Sequence, residues 1–131
     1  MTKIKAANIE EELSRLKMLN GRTKNTPAAE SAAAFVKLAP FDTGGVFTGS
    51  FSGDSPWERH RAGDELVHIL KGEADLTILT KDGPEVLKMK AGMLTVVAKG
   101  LWHRFHAPNG VTVLTATPQP TDHSTAELPS N

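Results

Sequence analysis

Two textures of hydrophobic spacing follow one another along the chain. Ile9, Leu13, Leu16 and Leu19 recur at steps of four, three and three, while Glu10, Glu11, Glu12, Arg15 and Lys17 fill the other faces. This segment predicts an amphipathic helix that stops at Asn20-Gly21. After a polar stretch to Asn25, Thr26-Pro27 offers a cap and a proline at the first helical position, ahead of an alanine-rich run to Ala34. A short second helix or a loosely packed arm is expected there. From Pro40 onward, short runs rich in Val, Thr, Leu, Ile and Phe are punctuated by glycine, proline and Asx turn signals. The pattern predicts strands over 45–51, 65–71, 74–80, 85–89, 94–97, 102–106 and 111–117. Asp82-Gly83 and Asn109-Gly110 predict tight hairpins, because such turns need positive φ and glycine supplies it without steric cost. Short strands about ten residues apart with no helices between them indicate an all-β sandwich or small barrel. The chain thus divides into an N-terminal helical extension (1–39), a β domain (40–117) and a tail (118–131). Pro118, Pro120 and Pro129 mark that tail as loosely ordered or packed along the outside.

Composition narrows the chemistry. A length of 131 residues suits one domain. Fifteen basic residues balance fifteen acidic ones, so no global positive field exists to gather nucleic acid or an anionic membrane surface. No cysteine is present, which excludes disulfides, thiolate ligands and thiol nucleophiles and leaves nitrogen and oxygen to hold any metal. The lack of tyrosine removes the phenol as a general acid or base. Lys3 and Lys5 precede no apolar run of signal-peptide length, and no stretch approaches the roughly 20 apolar residues of a membrane span. A soluble, cytoplasmic protein is expected.

Four of the five histidines, along with several acids, fall in Trp57-Glu58-Arg59-His60-Arg61-Ala62-Gly63-Asp64-Glu65, at His68 close behind it, and in Trp102-His103-Arg104-Phe105-His106. Side chains two apart on a strand share a face, so Glu58 and His60 converge, as do His103 and Phe105. Glu65 opens the next strand and can swing in beside His60. A barrel closed by the later strand would bring His103 to the same place, giving two imidazoles and one or two carboxylates, a set suited to a divalent metal. Alternation sends His68 to the opposite face with Leu66 and Leu70 and turns His106 away from His103, while His123 sits in the tail. Val67, Ile69 and Phe105 are expected to line an apolar interior, Trp57 and Trp102 to pack, and Asp64 to shape its turn.

These stretches resemble the two motifs of the cupins, small β-barrel (jelly-roll) proteins. Glu58-x-His60, four residues, Glu65, six residues and Gly72 reproduce the first motif's spacing, with Glu58 where the first histidine stands and Ser52 at the leading glycine position. Gly92, Lys99, Gly100 and His103 match the second, with Ala98 in the proline position and Ala107 in the asparagine position. The resemblance spans roughly residues 44 to 117. It implies a cupin barrel with His60, Glu65 and His103 at metal-ligand positions and Glu58 at a ligand position that has changed type, as a fourth ligand or a base. It places Gly72, Gly92 and Gly100 at tight corners. The expected cofactor is a divalent ion (Fe, Mn, Ni, Co or Zn). The expected function is a small-molecule enzyme of oxygenase or isomerase type, the alternative being a non-catalytic module that binds or senses a small ligand. Missing tyrosine argues against the sugar-nucleotide epimerase branch, and missing cysteine removes the thioether crosslink of some thiol dioxygenases. A strand apolar on both faces, with Leu66, His68 and Leu70 outward, predicts a homodimer.

Overall fold

A computed structural model describes residues 4–130; residues 1–3, where the N-terminal extension begins, and residue 131, where the tail ends, lie outside the described residues. Helix α1 (Ile9–Ser14) starts where expected, with the Asn8 side chain accepting from the Glu11 amide at 2.9 Å and three glutamates in its first turn. It ends at Ser14, six residues before the predicted stop at Asn20. Leu19 belongs instead to strand β1 (Leu19–Arg22), which runs parallel to β3 with Leu19 beside Phe51 and Arg22 beside Gly53. An isolated helix of this length is marginal, and pairing with a sheet gives the same residues both backbone partners and burial. Helix α2 (Ala28–Ala33) is the short second helix. Strand β2 (Phe35–Phe41) then folds back on β3 (Gly44–Asp54).

The remaining strands are β4 (Trp57–His60), β5 (Glu65–Thr80), β6 (Gly83–Lys90), β7 (Leu94–Val97), β8 (His103–Thr117) and β9 (Thr121–Ser124). The nine strands form one curled sheet in which β8 is the hub. It pairs antiparallel with β3, with β5, and through the single pair Glu58 and His103 with β4, while β5 also carries β6 and β7. The Asp82-Gly83 hairpin forms, with Thr80 opposite Gly83. The Asn109-Gly110 hairpin does not: segments 102–106 and 111–117 are parts of one long strand, and 65–71 and 74–80 are likewise one. The two long strands pair antiparallel, and their register shifts between Gly72 and Asp75. A Cβ at Gly72 (φ +75°) would lie 2.3 Å from the Gly110 carbonyl oxygen, so the two backbones touch at a point that only glycine allows. The positive φ of Gly110 therefore serves a bend inside a strand, not a chain reversal.

At this corner the inward phase of β5 switches. Glu65, Val67 and Ile69 face in before it, and Ala74, Leu76 and Ile78 after it, with the pairing register slipping between Ile69 and Asp75. On β8 the odd-numbered positions 103, 105, 107, 111, 113, 115 and 117 are all buried. These two strands supply most of the core, with Phe51, Met89 and Val97 added from their neighbours. The tail packs along the outside as β9, an added strand beside β4. Among the described residues no helix is long and apolar enough to cross a membrane.

Candidate metal centre

His60 ends β4, Glu65 begins β5 and His103 begins β8, so three strand ends meet at one rim of the curled sheet. Their side chains are buried, with residue exposures of 4, 6 and 3 %. One ligand atom from each lies within 4.8 Å of the other two. Glu65 Oε1 sits 2.9 Å from His103 Nε2 and 3.3 Å from His60 Nε2.

Each member is held from behind. His103 Nδ1 lies 3.1 Å from the Leu101 carbonyl oxygen, which can only accept, so the ring donates there and turns its other nitrogen into the cluster. His60 Nδ1 lies 3.0 Å from Thr121 Oγ1, whose hydroxyl is in turn 3.3 Å from the Gln119 side-chain amide oxygen Oε1 and donates to it. His60 therefore also donates through Nδ1 and directs Nε2 inward. Thr117 Oγ1 donates to Glu65 Oε2 at 2.6 Å and is itself 2.7 Å from Thr115 Oγ1. With its proton committed to the carboxylate, the Thr117 hydroxyl accepts from Thr115.

This orientation creates an electrostatic demand. Two imidazole lone pairs and a carboxylate oxygen converge away from water, and His60 Nε2 has no hydrogen-bond partner. Burial pushes the Glu65 carboxyl up, but the imidazoles of His103 and then His60 outweigh it and hold the group at about 2. Burial likewise works to lower His103, yet the hydrogen bond and charge of Glu65 prevail and raise it. Without an ion, one proton shared between His103 and Glu65 answers part of the demand and leaves His60 Nε2 idle. A divalent cation at the centre answers all of it, so the donor set fits such an ion.

Glu58 is not one of the three convergent residues. It lines the same cavity one strand pair away, opposite His103 in the β4–β8 ladder, and its Oε2 is 3.6 Å from His123 Nε2. His106 turns outward to Asp54, and His68 lies on the outer face of β5. Trp57 and Trp102 are packing residues, covered by the guanidinium groups of Arg104 and Arg59 at 4.4 and 4.5 Å from their ring centroids. Asp64 accepts from the Lys99 amide at 2.8 Å and ties two turns together.

The cluster opens into a cavity of about 680 Å³ with an apolar wall that includes Phe35, Phe51, Phe105 and Val113. Four contributors were not read from the sequence. Thr115 and Thr117 had a usable signal, since they share odd numbering with His103 on one strand. Thr121 was hidden in the proline-marked tail. It is fixed by Asp122, which bonds Arg59 Nε at 2.9 Å and Arg61 Nε at 2.7 Å across β4 and β9; the Arg59 hydrogen bond is the main reason that the Asp122 carboxyl lies below its usual range. Arg22, in a segment read only as polar, also lines the cavity.

The profile of the cupin domain matches residues 51–116. No curated protein matches. Among solved structures, a cupin-2 domain protein from Shewanella frigidimarina superimposes with a TM-score of 0.61 at 19 % identity, over 86 % of this chain and 93 % of that one. Hydroquinone 1,2-dioxygenase in complex with Cd2+ and 4-hydroxybenzonitrile gives 0.62 at 20 %, over 87 and 72 %. An oxalate decarboxylase from Bacillus subtilis gives 0.51 at 19 %, over 56 and 20 %. At these identities the structural likenesses speak to the fold alone, an all-β cupin barrel. The profile match covers half of the sequence and carries both motif stretches, and on that ground the chain belongs to the cupin family.

Proposed function

We propose that this cupin binds a divalent metal through His60, Glu65 and His103 and acts on a small organic molecule in the adjoining cavity, by chemistry of the oxygenase or isomerase type. The observation that carries the reading is the convergence of three buried donors whose outer atoms are all occupied, with His60 Nε2 facing Glu65 Oε1 at 3.3 Å and making no hydrogen bond of good geometry. Two imidazoles and one carboxylate would leave open coordination positions on an octahedral ion, and all three donors line the cavity. The ion would supply Lewis acidity or oxygen activation. The chain's own groups do the rest. Thr117, Thr121 and the Leu101 carbonyl aim the donors, the phenylalanines give the cavity an apolar wall, and Glu58, on the cavity wall and 3.6 Å from exposed His123, can take a proton from a bound molecule.

Protein purified without chelator is expected to carry close to one ion per chain, and added Mn, Fe, Ni, Co or Zn to raise its melting temperature. His103→Ala abolishes both effects and His123→Ala neither. Metal content far below stoichiometric, with no thermal response to any of these ions, refutes the site. Oxygen uptake by the Fe(II)-loaded protein against phenolic, keto-acid and hydroxy-acid panels tests catalysis. Tight retention of an unreacted compound with no uptake would mark a binding module instead.

We further propose a homodimer. On the outer face, Leu66 pairs with Val96 and His68 with Leu94, and Leu94 and Val96 are 59 and 52 % exposed. An apolar face of this kind is normally covered. Light scattering that returns the mass of one chain at micromolar concentration refutes it.

A further inference from the structure

We infer that Arg22 is a specificity residue that binds a carboxylate on the molecule held in the cavity, an assignment that rests on the metal-site reading above for what else that cavity holds. Arg22 is only 7 % exposed, yet its Nε has no hydrogen-bond partner. Burying a guanidinium with idle donors is costly unless an anion completes it. Glu58 acts on it through space, its charge partly offsetting the burial that pulls the Arg22 pKa down. Meanwhile the group lines the same cavity as His60, Glu65 and His103.

The seat is built, not incidental. The guanidinium carbon lies 4.8 Å from the centroid of the Phe51 ring, and Phe51 packs edge-on against Phe105 with centroids 5.7 Å apart. Phe105 is two residues along the same face of β8 from His103, so an aromatic floor links the arginine to the metal donors. The strand that delivers Arg22 is seated by close backbone contact. A Cβ at Gly53 (φ +101°) would lie 2.2 Å from the Arg22 carbonyl oxygen, and the Gly21 amide donates to Ser52 Oγ at 3.0 Å.

Charge favours an anionic ligand. Lys24 and Lys37 line the cavity with Arg22, and with a divalent ion present these positive charges outnumber Glu58 and Glu65. A planar carboxylate also matches the two-pronged guanidinium fork, and the phenylalanine floor suits a flat organic body behind it.

The Nε–H resonance of Arg22 in nitrogen-15 correlation spectra, assigned by its loss in Arg22→Lys, reports on this group directly. Full-length protein is titrated with acetate and benzoate, with acetamide and benzamide as neutral matches and inorganic phosphate as the competing anion, chloride holding ionic strength constant. Both zinc-loaded and chelated protein are used. The expected result is a shift of the Arg22 signal with the carboxylates and not the amides. Benzoate affinity should fall about tenfold or more in Arg22→Gln and recover in part in Arg22→Lys. No Arg22 response to either carboxylate in either state, an equal response to the amides, or a larger response to phosphate overturns the assignment. Zinc content, measured separately on wild type and Arg22→Gln and expected to be the same, reports on the metal site alone.

Discussion

Glu65 is the only acid among the three convergent donors, and its orientation depends on a relay of two threonines. Thr117 Oγ1 donates to Glu65 Oε2 at 2.6 Å, and Thr115 Oγ1 stands 2.7 Å behind it; both threonines are buried. Valine is nearly isosteric with threonine, so Thr117→Val removes the donor while leaving shape and strand propensity in place. Hydrogen bonds to charged groups contribute about 1.5–3 kcal/mol, and losing the donor to a buried carboxylate costs a comparable amount. Thr115→Val removes only a neutral bond, about 0.5–1.5 kcal/mol. Urea denaturation of the metal-free protein should therefore rank the variants wild type, Thr115→Val, Thr117→Val, from most to least stable. Thr115→Val should cost less again when Thr117 is already valine, because its acceptor has gone. In a zinc titration, Thr117→Val should weaken binding by about 10- to 100-fold, the usual penalty for losing support behind a ligand. A Thr117→Val protein within about 0.5 kcal/mol of wild type, or a Thr115→Val protein less stable than Thr117→Val, would refute the direction of the relay.

Other outcomes follow from the same geometry. At positive φ a side chain costs about 1–2 kcal/mol; Gly92→Ala (φ +92°, nothing within 4 Å) should lose about that much, and Gly72→Ala, whose Cβ would also meet Gly110, clearly more. Equal urea midpoints for the two would refute the backbone contact at the corner. In chelated protein, Glu65, held at about 2, stabilises the fold above the ordinary carboxylate range and gives this up only as the pH falls toward 2; His103, raised from 6.5, stabilises below that value and loses the contribution as the pH rises through its folded pKa. The melting temperature of chelated protein should thus fall as the pH is raised from about 6.5, with no such slope in His103→Asn and the opposite slope with zinc bound, since ligating imidazoles must be deprotonated; a flat chelated profile refutes the pairing.

Much of the site was legible because strand alternation is a strict rule. The two-residue spacing of Glu58 and His60 placed both on the cavity side, and the odd separation of Glu65 from His68 correctly divided them between faces. The barrel was legible for the same reason, together with the glycine spacing. What failed were readings that treated a glycine or a short amphipathic run as a purely local signal. Asn109-Gly110 carries the chemistry of a hairpin, yet its neighbours on both sides find partners on β3 and β5, so the strand continues and the glycine serves a bend. Leu19 completes a helical stripe, yet the edge of β3 offers it backbone partners that six helical residues could not match. Arg22 and Thr121 were illegible because each acts through a strand whose own partner lies about thirty to sixty residues away, and polar segments carry no periodicity to announce that.

A division of labour emerges when the cluster is compared with the span of the family profile. His60, Glu65 and His103 all lie within residues 51–116, on strands whose inward positions are fixed by the core. The Leu101 carbonyl and Thr115 lie inside it too, but three supporting groups lie outside: Thr117 one residue beyond, Thr121 on an added outer strand, and Arg22 on a strand parallel to β3. The barrel strands have little freedom to change what they present, because moving His103 would also move Phe105 and Ala107 out of the core. β1 and β9 each pair with a single barrel strand, β3 and β4. β9 supports a metal donor through Thr121, whereas β1 brings only Arg22 to the cavity, so the physical expectation is that β1 bears on the choice of ligand and not on the metal. Substitutions at Arg22 should change which molecules bind while leaving metal content alone, and substitutions at His60 or His103 should do the reverse.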